Sequence, residues 1–402
     1  MGTLEKLENF LSSNRVEVRR KAVTMLGEIK STKGLPYLLD ALQDDDDIVR
    51  AIAVFSLGEI GTTEAIDALL PLLQDANANT RSATAIALGK IGSMDAEEAL
   101  LLALKDNDDH VRGCVASALA KIGSEKAEKL LVKFVETAER PEIRRKAVMA
   151  LKEIPSEDVK QPLVNALEDA DASVRNSAAI AAGELRLQQA ETALIVRLGQ
   201  PETPEMHANV LFALGEIEST EAVAAITPLL RSRHKGVARQ AAAALSKIKS
   251  EAALSGLMAV LDDGSPELKW SAVEALGELG RENAIDSLVK LIHDPDSDVR
   301  WSVARALGSI ASQRSVAPLA TMLYDTDKNV RSAAAHALGK LGFHDVVKPL
   351  LKALNDSDTE VAWSAAEALT EIGDSEALHH IEKFLPQMDP ELAERFRQQM
   401  GM

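Results

Sequence analysis

A period of 31 residues runs through the chain and constrains its fold more than any other feature. Taking Asp298-Val299-Arg300 to Ala306-Leu307-Gly308 as a ruler, the position of Arg300 recurs at Arg19, Arg50, Arg81, Arg112, Arg144, Arg175, His207, Ala238, Lys269, Arg331 and Ala362. The spacing is 31 residues except for two steps of 32, from Arg112 to Arg144 and from Arg175 to His207. Eight residues beyond the anchor stands Gly27, Gly58, Gly89, Gly183, Gly215, Gly277, Gly308 or Gly339, with Ala120, Lys152, Ser246 and Thr370 in the other four repeats. A fixed period of this length marks stacked supersecondary units, each too small to bury its apolar face alone. The length of 402 residues would by itself suggest two or three globular domains. The period predicts instead one continuous stack over 1–402, with an N-terminal cap at 1–12 and a polar C-terminal cap at 386–402.

Each repeat reads as two helices. The first is an apolar run such as Ala65 to Leu73, the second a stretch such as Val299 to Ile310, and a short acidic loop joins them. Asp46, Asp108, Asp171, Asp296, Asp327 and Asp358 lie four residues before the anchor, with Asn77 and Ser265 in the same slot. These are helix-capping residues, whose side-chain oxygens accept from the first unpaired amides. Further aspartates lie six before the anchor: Asp44, Asp75, Asp106, Asp169, Asp263, Asp294, Asp325 and Asp356. They recur one repeat apart instead of converging, so they predict loop structure and no metal site.

On a helical wheel, positions −1, +3, +6, +7 and +10 from the anchor gather Val, Ala, Ala, Leu and Ile on a face that must be buried. Positions −2, +1, +2, +5 and +9 vary and gather on the opposite face. The anchor lies on the edge between them. Arg19, Arg50, Arg81, Arg112, Arg144, Arg175, Arg300 and Arg331 are therefore expected to form a ladder, each pairing with an acidic loop residue of the adjacent repeat. The glycine at +8 lies on the other edge, where a missing side chain permits close helix approach.

Composition excludes several functions. One cysteine precludes a disulfide framework or a multi-cysteine metal site. A net charge of −17 argues against a general nucleic-acid binder, which must neutralise phosphates. No stretch approaches about 18 uncharged apolar residues, so no membrane span is expected, and Met1 to Phe10 has no signal-peptide pattern. The resulting expectation is a cytoplasmic protein without nucleic-acid or membrane partners. No motif for nucleotide binding, nucleophilic catalysis or metal ligation appears, so no catalytic residue, metal or cofactor is assigned.

The pattern D-x-D-x-x-V-R-x-x-A-A-x-A-L-G-x-I-G resembles the HEAT-like repeat named after the phycobilisome lyases, over about residues 4–385. The resemblance implies an all-α fold, an α-solenoid of about 12–13 HEAT-like helix pairs forming a right-handed superhelix. It further implies that the second helices line a concave face whose variable positions bind partners. The last segment, with Arg395 and Arg397, departs from the motif.

The variable face is most distinctive in its C-terminal part. All three tryptophans, Trp270, Trp301 and Trp363, occupy slot +1 of repeats nine, ten and twelve, each followed by serine. Arg305, His336, Lys340, Glu274 and Glu367 share that face, and Phe212 stands on it in repeat seven. Trp and Arg are the commonest interface anchors, although a +1 aromatic can equally pack along a neighbouring helix. Repeat eight loses the arginine, the capping aspartate and the glycine, and carries Arg231, Arg233, Lys235 and Arg239, a basic island that could dock an acidic partner. A bend is expected near repeats seven and eight, where the ladder is interrupted. The leading functional reading is a non-enzymatic scaffold gripping a protein or extended peptide on the concave face. The alternative, suggested by the family's name, is a bilin (chromophore) lyase or phycobiliprotein-handling subunit, with Trp301, Arg305, His336 and Lys340 as its pocket.

Overall fold

A computed structural model describes residues 7, 9–262 and 264–373, and among them there is helix and no strand. The expected C-terminal cap, most of the N-terminal one, Asp263, Arg395 and Arg397 lie outside the described residues. The chain divides into two compact blocks, Met1–Ala193 and Leu194–Met402. Twelve second helices recur in register with the sequence period. The N-terminal block holds α1 (Val16–Ile29), α2 (Asp47–Ile60), α3 (Ala78–Ile91), α4 (Asp109–Ile122), α5 (Pro141–Leu151) and α6 (Ala172–Glu184). The C-terminal block holds α7 (Pro204–Ile217), α8 (Lys235–Ile248), α9 (Pro266–Leu279), α10 (Ser297–Ile310), α11 (Lys328–Leu341) and α12 (Thr359–Ile372). Within each block, every second helix packs against the next one.

The aspartates four before the anchors start these helices. Asp296 accepts from the amides of Asp298 and Val299 at 2.9 and 3.1 Å, and Ser265 accepts from Leu268 at 3.4 Å. Such a cap contributes about 1 kcal/mol. The first helices are shorter than the apolar runs suggest. Residues Ile66–Leu69 form one α-helical turn and then tighten into a 3₁₀ segment, Leu70–Gln74, with Pro71 near its start. Pro71 has no amide to donate back along the helix, so the α-helical ladder cannot pass it. Pro228 has the same effect at Val223–Ile226 and Thr227–Arg231.

The core is the apolar face of the second helices. Val299, Val303 and Leu307 on α10 are fully buried, as are Val49, Ala53 and Leu57 on α2. Each such Val or Leu contributes roughly 1.5–3 kcal/mol. The +8 glycines set the helix separation: a Cβ on Gly308 would stand 2.7 Å from the Ala337 Cβ, and one on Gly58 would stand 2.7 Å from the Ala87 Cα. This close approach corrects one reading of the wheel. Slots +1 and +2 are half-buried or buried in most repeats, where the neighbouring helix comes close, and exposed at Lys21 and Arg239. Ser302 and Ser82 are buried, and their hydroxyls donate to the Val299 and Asn79 carbonyls at 2.7 and 3.0 Å.

Candidate functional site

The anchors form a repeating frame that holds the variable face in place. Arg300 Nε and Nη2 donate to the two carboxylate oxygens of Asp325 at 2.7 and 2.8 Å, while Nη1 donates to the Asp294 carbonyl at 2.8 Å. Asp325 in turn accepts from the amide of Asp327 at 2.8 Å, and Asp327 caps α11. One guanidinium thus ties its own loop to the next loop and to the start of the next helix. The same arrangement joins Arg19 to Asp44, Arg50 to Asp75, Arg81 to Asp106, Arg144 to Asp169 and Arg331 to Asp356. Lys269 substitutes with a single contact, 2.8 Å to Asp294. Burial pushes the Asp325 carboxyl up, but the hydrogen bonds from Arg300 and the Asp327 amide outweigh it and hold the carboxyl below the usual range.

Arg112 and Arg175 depart from this pattern. The two 32-residue steps follow them, and at six before the next anchor stand Ala138 and Pro201 instead of aspartate. Arg175 Nη1 donates to the Asp169 and Ala170 carbonyls at 2.9 and 3.0 Å. Arg112 is only 4% exposed. It donates to the Asp106 carbonyl, and its Nη2 meets Asp109 as an ion pair without hydrogen-bond geometry. Burial, with the nearby Arg140 second, lowers its pKa.

The tryptophan slot lies in the C-terminal block. Trp270, Trp301 and Trp363 are each half-buried, on α9, α10 and α12. Trp270 and Trp301 line an open groove of about 990 Å³, together with Arg231, Lys235 and Arg239 from the α8 end and Glu267, Asp296 and Asp298 from the starts of α9 and α10. Arg239 occupies slot +1 of repeat eight, so Arg239, Trp270 and Trp301 form a single row, one residue per helix. That placement was legible in the spacing, and Glu267 and Ser271 occupy slots −2 and +2 of the same variable face, although Glu267 was not singled out. Lys235 Nζ contacts Glu267 at 2.6 Å, and this hydrogen bond pushes the Glu267 carboxyl down to about 2. Arg231 donates to the Ala259 carbonyl at 3.3 Å. Arg239 is exposed and makes no hydrogen bond or close salt bridge among the described residues, but its charge, with that of Arg305, acts on Glu274. Arg233 is exposed outside the groove lining.

Other residues singled out in the sequence sit beside the groove. The Arg305 guanidinium lies 4.6 Å from the Trp301 ring centre, and its Nη1 reaches Glu274 at 3.4 Å. Burial raises the pKa of Glu274, against the pull of Arg305. Arg305, His336 and Lys340 do not line the groove, so the expected pocket of Trp301, Arg305, His336 and Lys340 is not gathered there. His336 and Lys340 are exposed on α11 and Glu367 is half-exposed on α12. Phe212, on α7, lies under Lys247 at 5.5 Å, and Lys247 pairs with Glu216. The N-terminal block repeats that device: Lys90 covers Phe55 at 4.8 Å and pairs with Glu59. Among the described residues no cluster of metal-ligating side chains occurs, and no helix is long and apolar enough to cross a membrane.

Paired helices in repeating register, joined loop to loop by an arginine–aspartate ladder, define an α-solenoid. The HEAT-repeat family profile matches residues 4–78, 66–139, 128–205, 191–266, 254–335 and 318–398. The chain therefore belongs to the HEAT-repeat family. It is similar in fold to yeast importin-β (Kap95p), at 15% identity and a TM-score of 0.69, over 96% of this chain and 64% of that one. It is also similar to Kap121p, at 13% identity and a TM-score of 0.63, over 98% of this chain and 52% of that one. The chain thus spans about half the length of Kap121p and under two thirds of importin-β. The complex of CpcE and CpcF of phycocyanin lyase from Nostoc sp. aligns at 22% identity and a TM-score of 0.37, over 56% of this chain and 93% of that one. No curated protein matches the chain.

Proposed function

We propose that the chain is a non-enzymatic scaffold that holds a protein or extended peptide against the second helices of its C-terminal block. The observation carrying this reading is the groove with Trp270 and Trp301 in its wall and Arg231, Lys235 and Arg239 at one end. Half-buried tryptophans flanked by arginine are the chemistry of interface anchors: large apolar area with little side-chain entropy to lose. Kap121p, which shares the fold, has been solved bound to Pho4p and bound to Nup53p, and repeat stacks in general offer extended binding surfaces. The chromophore alternative has less support. Arg305 is committed to Trp301 and Glu274, and His336 and Lys340 stand outside the groove.

The test is selection of displayed peptides on the full chain, beside a variant carrying Trp270→Ala, Trp301→Ala and Trp363→Ala. The reading expects a family of peptides that bind the wild type and are lost from the variant. Equal recovery on both proteins would refute it.

A further inference from the structure

The N-terminal block carries a surface that the tryptophan groove does not account for. We propose that the groove over α2 docks a segment of another protein in which large apolar side chains are joined to lysine or arginine. The apolar groups lie against Ile48, Ile52 and Phe55, and the basic group lies against Asp45 and Asp47. This second surface is independent of the tryptophan groove.

Among the twelve second helices, α2 alone is apolar at slots −2, +1, +2 and +5, which hold Ile48, Ala51, Ile52 and Phe55. Every other second helix has a polar or charged residue in at least one of these slots. The four residues line an open groove of about 380 Å³, together with Thr24 of α1 and Asn79 of α3. Ile48 is 45% exposed and Phe55 is 55% exposed, and Ile86, in slot +5 of α3, is exposed as well. Lys90 stands over one face of the Phe55 ring at 4.8 Å and still leaves that residue more than half exposed. Apolar side chains scattered singly over a surface are ordinary, whereas a run of them along one helix inside a groove marks an interaction site.

Charge selects the occupant. The loop entering α2 carries four consecutive aspartates, Asp44 to Asp47. Arg19 holds Asp44 at 2.7 Å and Arg20 holds Asp46 at 2.6 Å. Asp45 and Asp47 act on the same two guanidiniums only from a distance. Arg50 is bound to Asp75, and Lys21, exposed on α1, forms no ion pair with either aspartate. Four carboxylates thus face two arginines, and the surplus negative charge stands at the start of α2, where Asp47 lines the groove. Toward the end of α2 the balance is reversed, because Lys30 and Lys90 both hold the single carboxylate of Glu59. A lysine or arginine of the partner is therefore favoured beside Asp45 and Asp47 and disfavoured beside Phe55. The same two aspartates repel the anionic headgroups of a membrane surface, so the apolar run suits a protein segment and not a lipid.

The test is selection of displayed random peptides on the full chain, with a variant carrying Ile48→Ser and Phe55→Ser as counter-target. Both side chains are about half exposed, so this variant should fold as the wild type does, and circular dichroism checks that it does. Peptides lost from the serine variant but kept by the triple tryptophan variant report this groove alone. The proposal expects such peptides to combine large apolar residues with lysine or arginine. A resynthesised member, titrated by calorimetry, should bind about fivefold or more weakly to Asp45→Lys, and regain affinity for that variant when glutamate replaces its basic residue. Its affinity should also fall with added salt. The proposal is overturned if no peptide is lost from the serine variant, if the lost peptides carry no basic residue, or if the charge exchange restores nothing. Self-association of the wild type that the serine variant abolishes would make a second copy of the chain the occupant, and would overturn it as well. None of these failures touches the tryptophan groove, whose own test is loss of peptides from the triple tryptophan variant.

Discussion

Replacing Arg300 by alanine tests the frame that holds the binding face. The substitution removes a bidentate contact to Asp325 and a third hydrogen bond to the Asp294 carbonyl. The two side chains are only 11% and 8% exposed, so solvent screens the pair weakly. Breaking a well-buried pair costs about 3–5 kcal/mol. Asp325 keeps its bond from the Asp327 amide and gains water once the guanidinium is gone, which brings the expected loss to about 2–4 kcal/mol. Arg300→Lys should cost roughly 1 kcal/mol, since Lys269 already shows the one-contact form of the same pairing. Urea denaturation followed by circular dichroism measures the size, and hydrogen exchange measures the place. In a repeat protein the loss falls on the neighbouring interface, so faster exchange should concentrate in α10 and α11. A loss below about 0.5 kcal/mol, the scale of an ordinary surface change, would refute the reasoning.

The two anchors with different partners should respond differently to methionine. Arg81→Met, which strands Asp106, should destabilise by about 2 kcal/mol or more, whereas Arg112→Met removes a buried charge that has no aspartate in the next repeat and should be neutral or stabilising; both are read from urea midpoints. Gly308→Val forces a Cβ within 2.7 Å of Ala337 and should cost about 1–3 kcal/mol or more in thermal and urea unfolding. The ladder also fixes the acid response. At Asp44 the hydrogen bond from Arg19 leads in lowering the carboxyl pKa; at Asp75, Asp106, Asp169 and Asp356 burial raises it, but the arginine and a backbone amide outweigh burial. A carboxyl depressed in the folded state stabilises above its unfolded pKa near 3.9 and loses that contribution as pH falls through the folded value. The unfolding midpoint should therefore stay nearly level from about pH 7 to 5 and drop steeply below about pH 4, less steeply in Arg300→Ala.

How much of this was legible in the sequence depended on periodicity. The second helices, their caps and the burial of Val299 or Leu307 follow from one ruler laid along the chain, because each is a local consequence of a helical repeat. The pairing of Arg300 with Asp325 follows as well, since both partners recur at a constant separation of 25 residues. What the period cannot convey is depth. Slots +1 and +2 look exposed on a single wheel, yet Trp301 is half-buried and Ser302 buried where the next helix comes close at Gly308, a property of two helices together. The first helices also escaped the wheel, because an apolar run does not register that Pro71 removes an amide in mid-course. The groove stands between these cases: Arg239, Trp270 and Trp301 share a slot that can be counted, while the hold of Glu267 on Lys235 and the stacking of Arg305 on Trp301 depend on side-chain geometry. Two departures in length, the 32-residue steps, became intelligible as places where the ladder loses its aspartate.

The central claim, that the tryptophan row of the C-terminal block is the surface a partner covers, is tested most directly by acrylamide quenching of tryptophan fluorescence. The chain has only three tryptophans, all in this slot; Trp270 and Trp301 line the groove and carry the expected change, while Trp363 on α12 lies outside its lining. With a selected peptide bound at saturation, the account predicts a clear fall in the quenching constant, and a smaller fall when Trp301 is replaced by alanine. An unchanged quenching constant at saturation would show that the partner binds elsewhere and would contradict the account.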